Sequence, residues 1–167
     1  MQVLQKIVGS HKQGIPLLAF NSKGNVIASI GLDSDCSLAV HEWSKGFQIL
    51  RTPTDKNKVL CICFLFNDPI SSANSNNGQV DGSNKSSNVP EKDIIVTAGE
   101  RHLKFWWYQG QNVLSQRALW GTNRDQKTNT IMAVASANQG ICVSGSNKGD
   151  LLIWQNYKVF LCNIFIL

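Results

Sequence analysis

The sequence predicts an all-β fold in which successive units each form a four-stranded antiparallel sheet. Apolar runs of strand length, rich in Val, Ile, Leu and Phe, recur along the chain. Turn-forming residues interrupt these runs too often for helices. The same order of runs and turns occurs three times, which is typical of a repeat protein.

The first unit shows the design of the repeat. An apolar run, a turn and a second run ending in small residues come first. A polar turn, a third run ending near an aromatic residue and a fourth run follow. The predicted strands are Ile15–Phe20, Val26–Gly31, Leu38–His41 and Phe47–Arg51. Gly24 lies in the first turn, where glycine supplies the positive φ that tight turns need.

The second and third units repeat this order. In the second unit the predicted strands are Val59–Phe64, Ile94–Gly99, Leu103–Trp106 and Val113–Arg117. In the third they are Ile131–Ser136, Ile141–Ser146 and Leu151–Trp154. The spacings from Gly99 to Gly145 and from Trp106 to Trp154 are close to the roughly 40–45 residues of a propeller blade. The sequence therefore predicts a partial β-propeller of about three blades.

A polar insert lengthens the second unit. Residues 68–92 are rich in Ser, Asn and Gly. Such a composition cannot bury enough apolar surface to offset the entropy lost on ordering. We predict that the insert is a disordered loop between the first and second strands of blade two.

The spacing of the units also predicts where each blade begins and ends. The expected divisions are 1–10 for the last strand of a preceding blade, 11–52 for blade one, 53–118 for blade two, 119–156 for an incomplete blade three and 157–167 for an atypical apolar tail. The strand of the preceding blade is expected at Gln2–Val8. Because propellers have about four to eight blades, three cannot close a ring, and we expect the remainder from a longer chain.

The units resemble WD repeats, in which a Ser-Gly-Ser-like run precedes a turn and an apolar strand that ends in tryptophan. Here Ser144-Gly145-Ser146 precedes Leu151–Trp154, and Thr97-Ala98-Gly99 precedes Leu103–Trp106. Gly9-Ser10-His11 stands where the Gly-His pair of such repeats would stand.

Three longer stretches resemble the blades of a narrower family. They are Leu38–Trp43, Asp93–Trp106 and the inter-blade segment Gly110–Leu114. These look like the echinoderm microtubule-associated protein-like (EMAP-like) family. The resemblance implies a propeller that binds protein partners, tubulin and other cytoskeletal proteins among them.

Two residues depart from the repeat pattern that the resemblance implies. His41 replaces the tryptophan of unit one, and we expect it to pack as a substitute for that ring. Lys148 stands at the tight-turn position where WD repeats carry aspartate. Since that aspartate belongs to a buried His–Ser–Trp network, the resemblance implies an incomplete network here.

Residues suited to catalysis or metal binding do not converge in the sequence. His11, His41 and His102 fall at three different places in the repeat, and His102 is expected to be solvent-exposed. The metalloprotease, serine-hydrolase and phosphate-binding motifs do not occur. Asp33 and Asp35 lack the spacing of a calcium loop and indicate a polar turn. We therefore predict a non-catalytic protein with no catalytic residue, no metal and no cofactor.

Composition and cysteine content bear on compartment and partners. The net charge is +5, which permits an acidic partner. Basic residues are not clustered with interleaved aromatics, so nucleic acid is not a predicted partner. The N-terminus lacks a signal peptide, and the apolar tail is too short to span a membrane, which needs about 20 residues. The cysteines are expected to be reduced thiols, typical of a cytoplasmic, cytoskeletal location. They are Cys36, Cys61, Cys63, Cys142 and Cys162.

Propellers bind partners through loops at one end of the blades, so basic residues there are candidate contacts. The candidates are Arg51, Lys56, Lys58, Arg101, Arg124, Lys127 and Lys148. Acidic residues share the same loops, so no strong field follows from their number alone. Two hypotheses remain open: a cytoskeletal scaffold that binds acidic tubulin segments, and a generic WD-repeat adaptor in another multiprotein complex.

Overall fold

A computed structural model describes most of the chain. The described residues are 3–65, 93–120, 129–137, 140–155 and 157–162. The predicted insert at 68–92 lies outside them. Within these ranges the regular structure is strands, apart from one short 3₁₀ turn at Trp43–Lys45.

The strands form three antiparallel sheets, which we call blades one, two and three. Blade one contains β1 (Leu17–Phe20), β2 (Val26–Ile30), β3 (Leu38–Glu42) and β4 (Phe47–Thr52). Blade two contains β5 (Val59–Leu65), β6 (Ile94–Gly99), β7 (His102–Gln109) and β8 (Asn112–Arg117). Blade three contains β9 (Ile131–Ser136), β10 (Cys142–Ser146), β11 (Leu151–Gln155) and β12 (Lys158–Cys162). The predicted all-β class with four-stranded antiparallel blades is confirmed.

The pairing register places equivalent residues of the blades at equivalent positions. Trp106 pairs with Ile95 in blade two, and His41 pairs with Ile27 in blade one. Two residues further along the second strand stand Thr97 and Ser29, which face the same way because side chains alternate across a sheet. His41 therefore occupies the tryptophan position of its blade, as the sequence predicted.

Two apolar clusters hold the blades together. The first lies between blades one and two and includes Leu38, Val40 and Trp106. The second lies between blades two and three and includes Phe105 and Trp154. Blades two and three thus each bury their tryptophan face against the blade before them. Burying such surface yields roughly 25 cal/mol for each Å² removed from water.

Both ends of the chain differ from the sequence prediction. Residues 3–8 form no strand, because no described strand runs beside them to supply a ladder partner. The apolar tail supplies β12, which pairs with the free edge of β11 and gives blade three its fourth strand. Leu119 also pairs with Lys158, so the segment that enters blade three is tied to this tail.

Candidate partner-binding rim

One end of the blades carries the turns between the second and third strands and the segments that precede each first strand. We call this end the rim. In blade one the turn is long and covers residues 31–37, whereas in blade two it consists of Glu100 and Arg101 alone. The preceding segments are 9–16 for blade one and 53–58 for blade two.

His11 connects the rim to the interior of blade one. Its Nδ1 lies 3.0 Å from the Ser37 hydroxyl, and its Nε2 lies 2.8 Å from the Ser29 hydroxyl on β2. The Ser37 hydroxyl donates to Asp33 at 2.8 Å, so it accepts from His11 Nδ1–H. The Ser29 hydroxyl lies within hydrogen-bond distance of both Nε2 and the Ala39 carbonyl oxygen, which is 3.4 Å away. The imidazole is therefore a fixed bridge between the turn and the strand.

Asp33 ties the long turn to the segment before it. Its Oδ1 accepts the backbone N–H groups of Lys12 at 2.9 Å and Gln13 at 3.2 Å. Its Oδ2 accepts from Arg51 at 3.2 Å. The Ser37 hydroxyl and these further donors hold the pKa of the Asp33 carboxyl well below its usual range. Hydrogen bonds within the blade neutralise this negative charge, so the Asp33 carboxylate is not available to a partner.

Blade two contains the same two ionisable groups in exchanged places. Asp55 lies in the segment before β5, and His102 is the first residue of β7. The Thr97 hydroxyl accepts from the Trp106 indole at 2.8 Å and lies 2.8 Å from His102 Nε2. His102 Nδ1 lies 3.7 Å from Asp55 Oδ2. Because the carboxylate only accepts, the proton of the neutral imidazole is on Nδ1, and Thr97 donates to Nε2.

The expectation that His102 is solvent-exposed is wrong. The residue is 3% exposed, because the two-residue turn brings it directly into β7 with its side chain turned inward. Burial lowers the pKa of His102 to about 4, although Asp55 opposes this change. At neutral pH the imidazole is uncharged and acts as a hydrogen-bonding link within the blade.

In both blades a glycine at or next to the end of the second strand leaves space for the segment that precedes the first strand. A Cβ at Gly31 would overlap the His11 ring, and a Cβ at Gly99 would overlap the backbone carbonyl oxygen of Lys58. The atoms near Gly31 belong to a side chain, whereas those near Gly99 belong to the backbone and cannot move by a change of rotamer. The short turn of blade two therefore requires a closer approach of the main chain.

The basic residues predicted as partner contacts occupy unequal positions on the rim. Arg51 donates to the Ser10 carbonyl oxygen at 2.8 Å and pairs with Asp33 at 3.2 Å and Asp35 at 3.7 Å. The carboxylates of blade one therefore largely neutralise the charge of Arg51. Arg51 is exposed as well, with 33% of its side chain accessible. The exposed candidates for which no ion pair is described are Lys56, Lys58, Arg101 and Lys148. Arg124 and Lys127 lie outside the described residues.

A small pocket opens on the rim where blade two meets the segment leading to blade three. Its volume is about 210 Å³, and Arg101, Arg117 and Trp120 line it together with His102 and Leu119. Arg117 and Trp120 did not emerge from the sequence as contact candidates. Arg117 is a strand terminus and Trp120 lies beyond the repeat motif, so tertiary packing alone brings them beside Arg101.

The chain is similar to two groups of curated proteins. It is 26% identical over 149 residues to Cilia- and flagella-associated protein 44 of Mus musculus, covering 86% of this chain and 7% of that protein. It is 28% identical over 149 residues to Echinoderm microtubule-associated protein-like 1 of Mus musculus, covering 88% and 15%. For Echinoderm microtubule-associated protein-like 2 of Rattus norvegicus the identity is 21%, with 88% and 19% covered. The chain thus spans less than a fifth of these relatives.

Solved structures share the fold. The β-propeller domain of Myceliophteria thermophila Cps50 (Swd1) superposes with a TM-score of 0.65 at 11% identity, covering 94% of this chain and 43% of that one. A chain of the Mitotic Checkpoint Complex gives 0.54 at 12%, covering 87% and 38%. The chain forms three blades of a WD-repeat β-propeller that resembles the EMAP-like family. No family model matches it.

The WD-repeat polar networks differ from what the resemblance implied. In blade one His41 is buried at the tryptophan position, yet its Nε2 lies 2.6 Å from the Ser10 hydroxyl, while Ser29 serves His11 instead. Burial lowers the pKa of His41. Blade one therefore has two imidazole links, His11–Ser29 and His41–Ser10, where blade two has one imidazole link and one indole link.

Blade three keeps the tryptophan link without a histidine. The Trp154 indole donates to the Ser144 hydroxyl at 2.8 Å. Lys148 is exposed in the turn, and Asp150 supplies the acid there, accepting from Ser146 at 3.2 Å and from Asn129 at 3.2 Å. The segment before the first strand thus supplies the side-chain amide of Asn129 in blade three. The same segment supplies the imidazole of His11 in blade one and the carboxylate of Asp55 in blade two.

Other sequence expectations concern thiols, metals and membranes. Cys36, Cys61, Cys63 and Cys142 are free thiols. Among the residues that the structure describes, no cluster of three or more His, Cys, Asp or Glu side chains is arranged to hold a metal ion. Within the same ranges, no helix has the length and apolar character needed to cross a bilayer.

Proposed function

We propose that the chain is a non-catalytic protein-interaction scaffold, part of a microtubule-associated EMAP-like protein that binds tubulin or other cytoskeletal partners in the cytoplasm. The rim is the contact surface in this proposal. Similarity to proteins named for microtubules, cilia and flagella supports it. The observation that carries it is the set of exposed basic side chains held on a rigid sheet scaffold, with no acidic partner assigned to Lys56, Lys58, Arg101 or Lys148 among the described contacts.

The polar networks favour scaffolding over chemistry. His11, His41 and His102 are each engaged with a hydroxyl group of the blade interior. An imidazole fixed in this way maintains the shape of the rim and does not offer a free base to a substrate. Nucleic acid and membrane are not proposed as partners.

Microtubule co-sedimentation of the chain tests the proposal. We expect binding that weakens as salt rises from 50 to roughly 300 mM, because exposed charges are screened beyond about 10 Å at 0.1 M salt. The double variant Lys58→Glu/Arg101→Glu should lose most of this binding. Lys45→Glu is the matched control, since Lys45 lies between β3 and β4 at the opposite end of blade one.

A second function, adaptor in a different multiprotein complex, is favoured by the superposition on a chain of the Mitotic Checkpoint Complex. It predicts no co-sedimentation at any salt concentration. Salt-insensitive binding, or equal binding by the double variant and the wild type, would contradict the electrostatic contact that we propose.

A further inference from the structure

We propose that the rim pocket lined by Arg101, Arg117 and Trp120 binds a glutamate side chain of an acidic partner peptide. This inference rests on the proposed function and deepens it, since it names the chemical group that the rim recognises. The pocket has a volume of about 210 Å³, which suits one side chain rather than a folded surface. Both arginines are on the exposed side, within reach of a partner.

The charges around the pocket favour a carboxylate. Arg117 pairs with Asp55 through one nitrogen at 2.7 Å and remains 67% exposed. A guanidinium has five N–H donors, so one such contact leaves others for a ligand. Burial lowers the pKa of the nearby Lys104, and the Arg117 charge lowers it further, whereas Asp55 opposes the change. His102 beneath the pocket is neutral and does not compete for the anion.

An aromatic wall completes the pocket. Trp120 packs edge-on against Trp154, with ring centroids 4.9 Å apart and an interplanar angle of 88°. The neighbouring Leu119 is held by backbone hydrogen bonds with Tyr157 and Val159 at 2.8 and 3.2 Å. The indole is therefore fixed in place before binding. Its surface can pack against the methylene groups of glutamate while the guanidinium groups bind the carboxylate.

The backbone at Arg101 adds an independent reason. Arg101 has φ of 49°, in the left-handed region that glycine adopts readily and other residues disfavour. The turn contains only Glu100 and Arg101, so glycine at position 101 would relieve this strain. Strained backbone of this kind is found at functional sites, and Arg101 shares it with Cys36 and Tyr157.

Fluorescence anisotropy with a labelled hexaglutamate peptide tests the proposal at low salt. We expect Arg101→Gly to weaken binding about tenfold or more, the usual consequence of losing one charge-assisted hydrogen bond. The variant should fold at least as well as the wild type, because glycine suits the local φ. Arg117→Gln should also weaken binding, while Lys45→Ala should bind as the wild type does.

Binding should also perturb the indole N–H signal of Trp120 in an NMR titration, with the signal assigned from Trp120→Phe. Unchanged affinity of Arg101→Gly, or an unperturbed Trp120 signal, would overturn the proposal. Tighter binding of a phosphoserine peptide by tenfold or more would reassign the pocket to phosphate and overturn it equally.

The microtubule assay separates this inference from the proposed function. Co-sedimentation that persists in Arg101→Gly refutes the pocket and leaves the scaffold function standing. Hexaglutamate binding that depends on Arg101, in a chain that does not co-sediment, supports the pocket and refutes the microtubule role.

Discussion

Blades one and two link their turns to their strands with the same groups, a histidine and an aspartate, in opposite places. In blade one the segment before the first strand supplies His11 and the turn supplies Asp33. In blade two that segment supplies Asp55, while His102 stands at the end of the turn. The imidazole reaches a hydroxyl of the second strand in both blades, at Ser29 and Thr97.

Turn length explains the exchange. The long turn of blade one has room for an aspartate that folds back over the preceding segment. The two-residue turn of blade two has none, and its next residue, His102, occupies the place that Ser37 holds in blade one. A carboxylate from the preceding segment then completes the link. The comparison shows that the network is determined by the shape of the rim and not by a fixed residue at each position.

The largest effect should come from the tryptophan position. Trp106→Ala removes a 3% exposed indole from the cluster between blades one and two. We expect a loss of about 3–5 kcal/mol in the free energy of unfolding. His41→Ala should lose less, about 1–3 kcal/mol, because it removes mainly one buried hydrogen bond. Urea denaturation measures both, and equal losses would contradict the contrast between the blades.

The next effect concerns the glycines beside the two histidines. Gly99→Ala should destabilise by about 1–3 kcal/mol, since the added methyl group meets the backbone of Lys58 and forces it to move. Gly31→Ala meets the His11 ring. Moving the ring breaks its hydrogen bonds to Ser29 and Ser37 but leaves the backbone in place, so the loss should be smaller. Thermal denaturation compares the two variants. A larger loss at Gly31 would show that the long turn is the less adaptable one.

Acid should weaken blade two through His102. The folded-state pKa of about 4 lies below the usual 6.5, so the unfolded chain takes up a proton first as the pH falls. Stability is therefore full above pH 6.5 and declines towards pH 4, by about 2 kcal/mol at pH 5. His102→Gln should flatten this part of the pH profile measured by urea denaturation. An unchanged slope in that variant would assign the loss to another group.

The smallest expected effect is an increase in the free energy of unfolding. Arg101→Gly relieves the positive φ of the short turn and should raise stability by a few tenths to about 1 kcal/mol. The long turn provides the comparison at Cys36, where φ is 44° and glycine should act in the same direction. A loss of stability at position 101 would mean that the Arg101 side chain supports the fold.

Much of the architecture could be predicted from local pattern. The strands of blades one and two and the first three of blade three agree with the predicted runs to within a few residues. The tail was misread because β12 departs from the repeat motif, and its strand is defined by the free edge of β11. His102 was misread because its burial depends on the turn conformation, which a residue count does not reveal.

The candidate site was less predictable. Arg51 and Arg101 are both exposed rim arginines, yet Arg51 pairs with Asp33 and Asp35, whereas no ion pair is described for Arg101. Arg117 and Trp120 have no signature of their own. A charge becomes available to a partner only when its neighbours in space do not neutralise it, and those neighbours are distant in the chain.

The amino-acid sequence alone determined the all-β class, the four-stranded repeat and the tryptophan positions, because side-chain alternation and turn residues act over a few neighbouring positions. The tertiary structure alone decided which histidine meets which aspartate, which cations remain exposed and where a pocket opens on the rim. Those outcomes depend on hydrogen bonds and packing between segments far apart in the chain, and no local pattern encodes such distances.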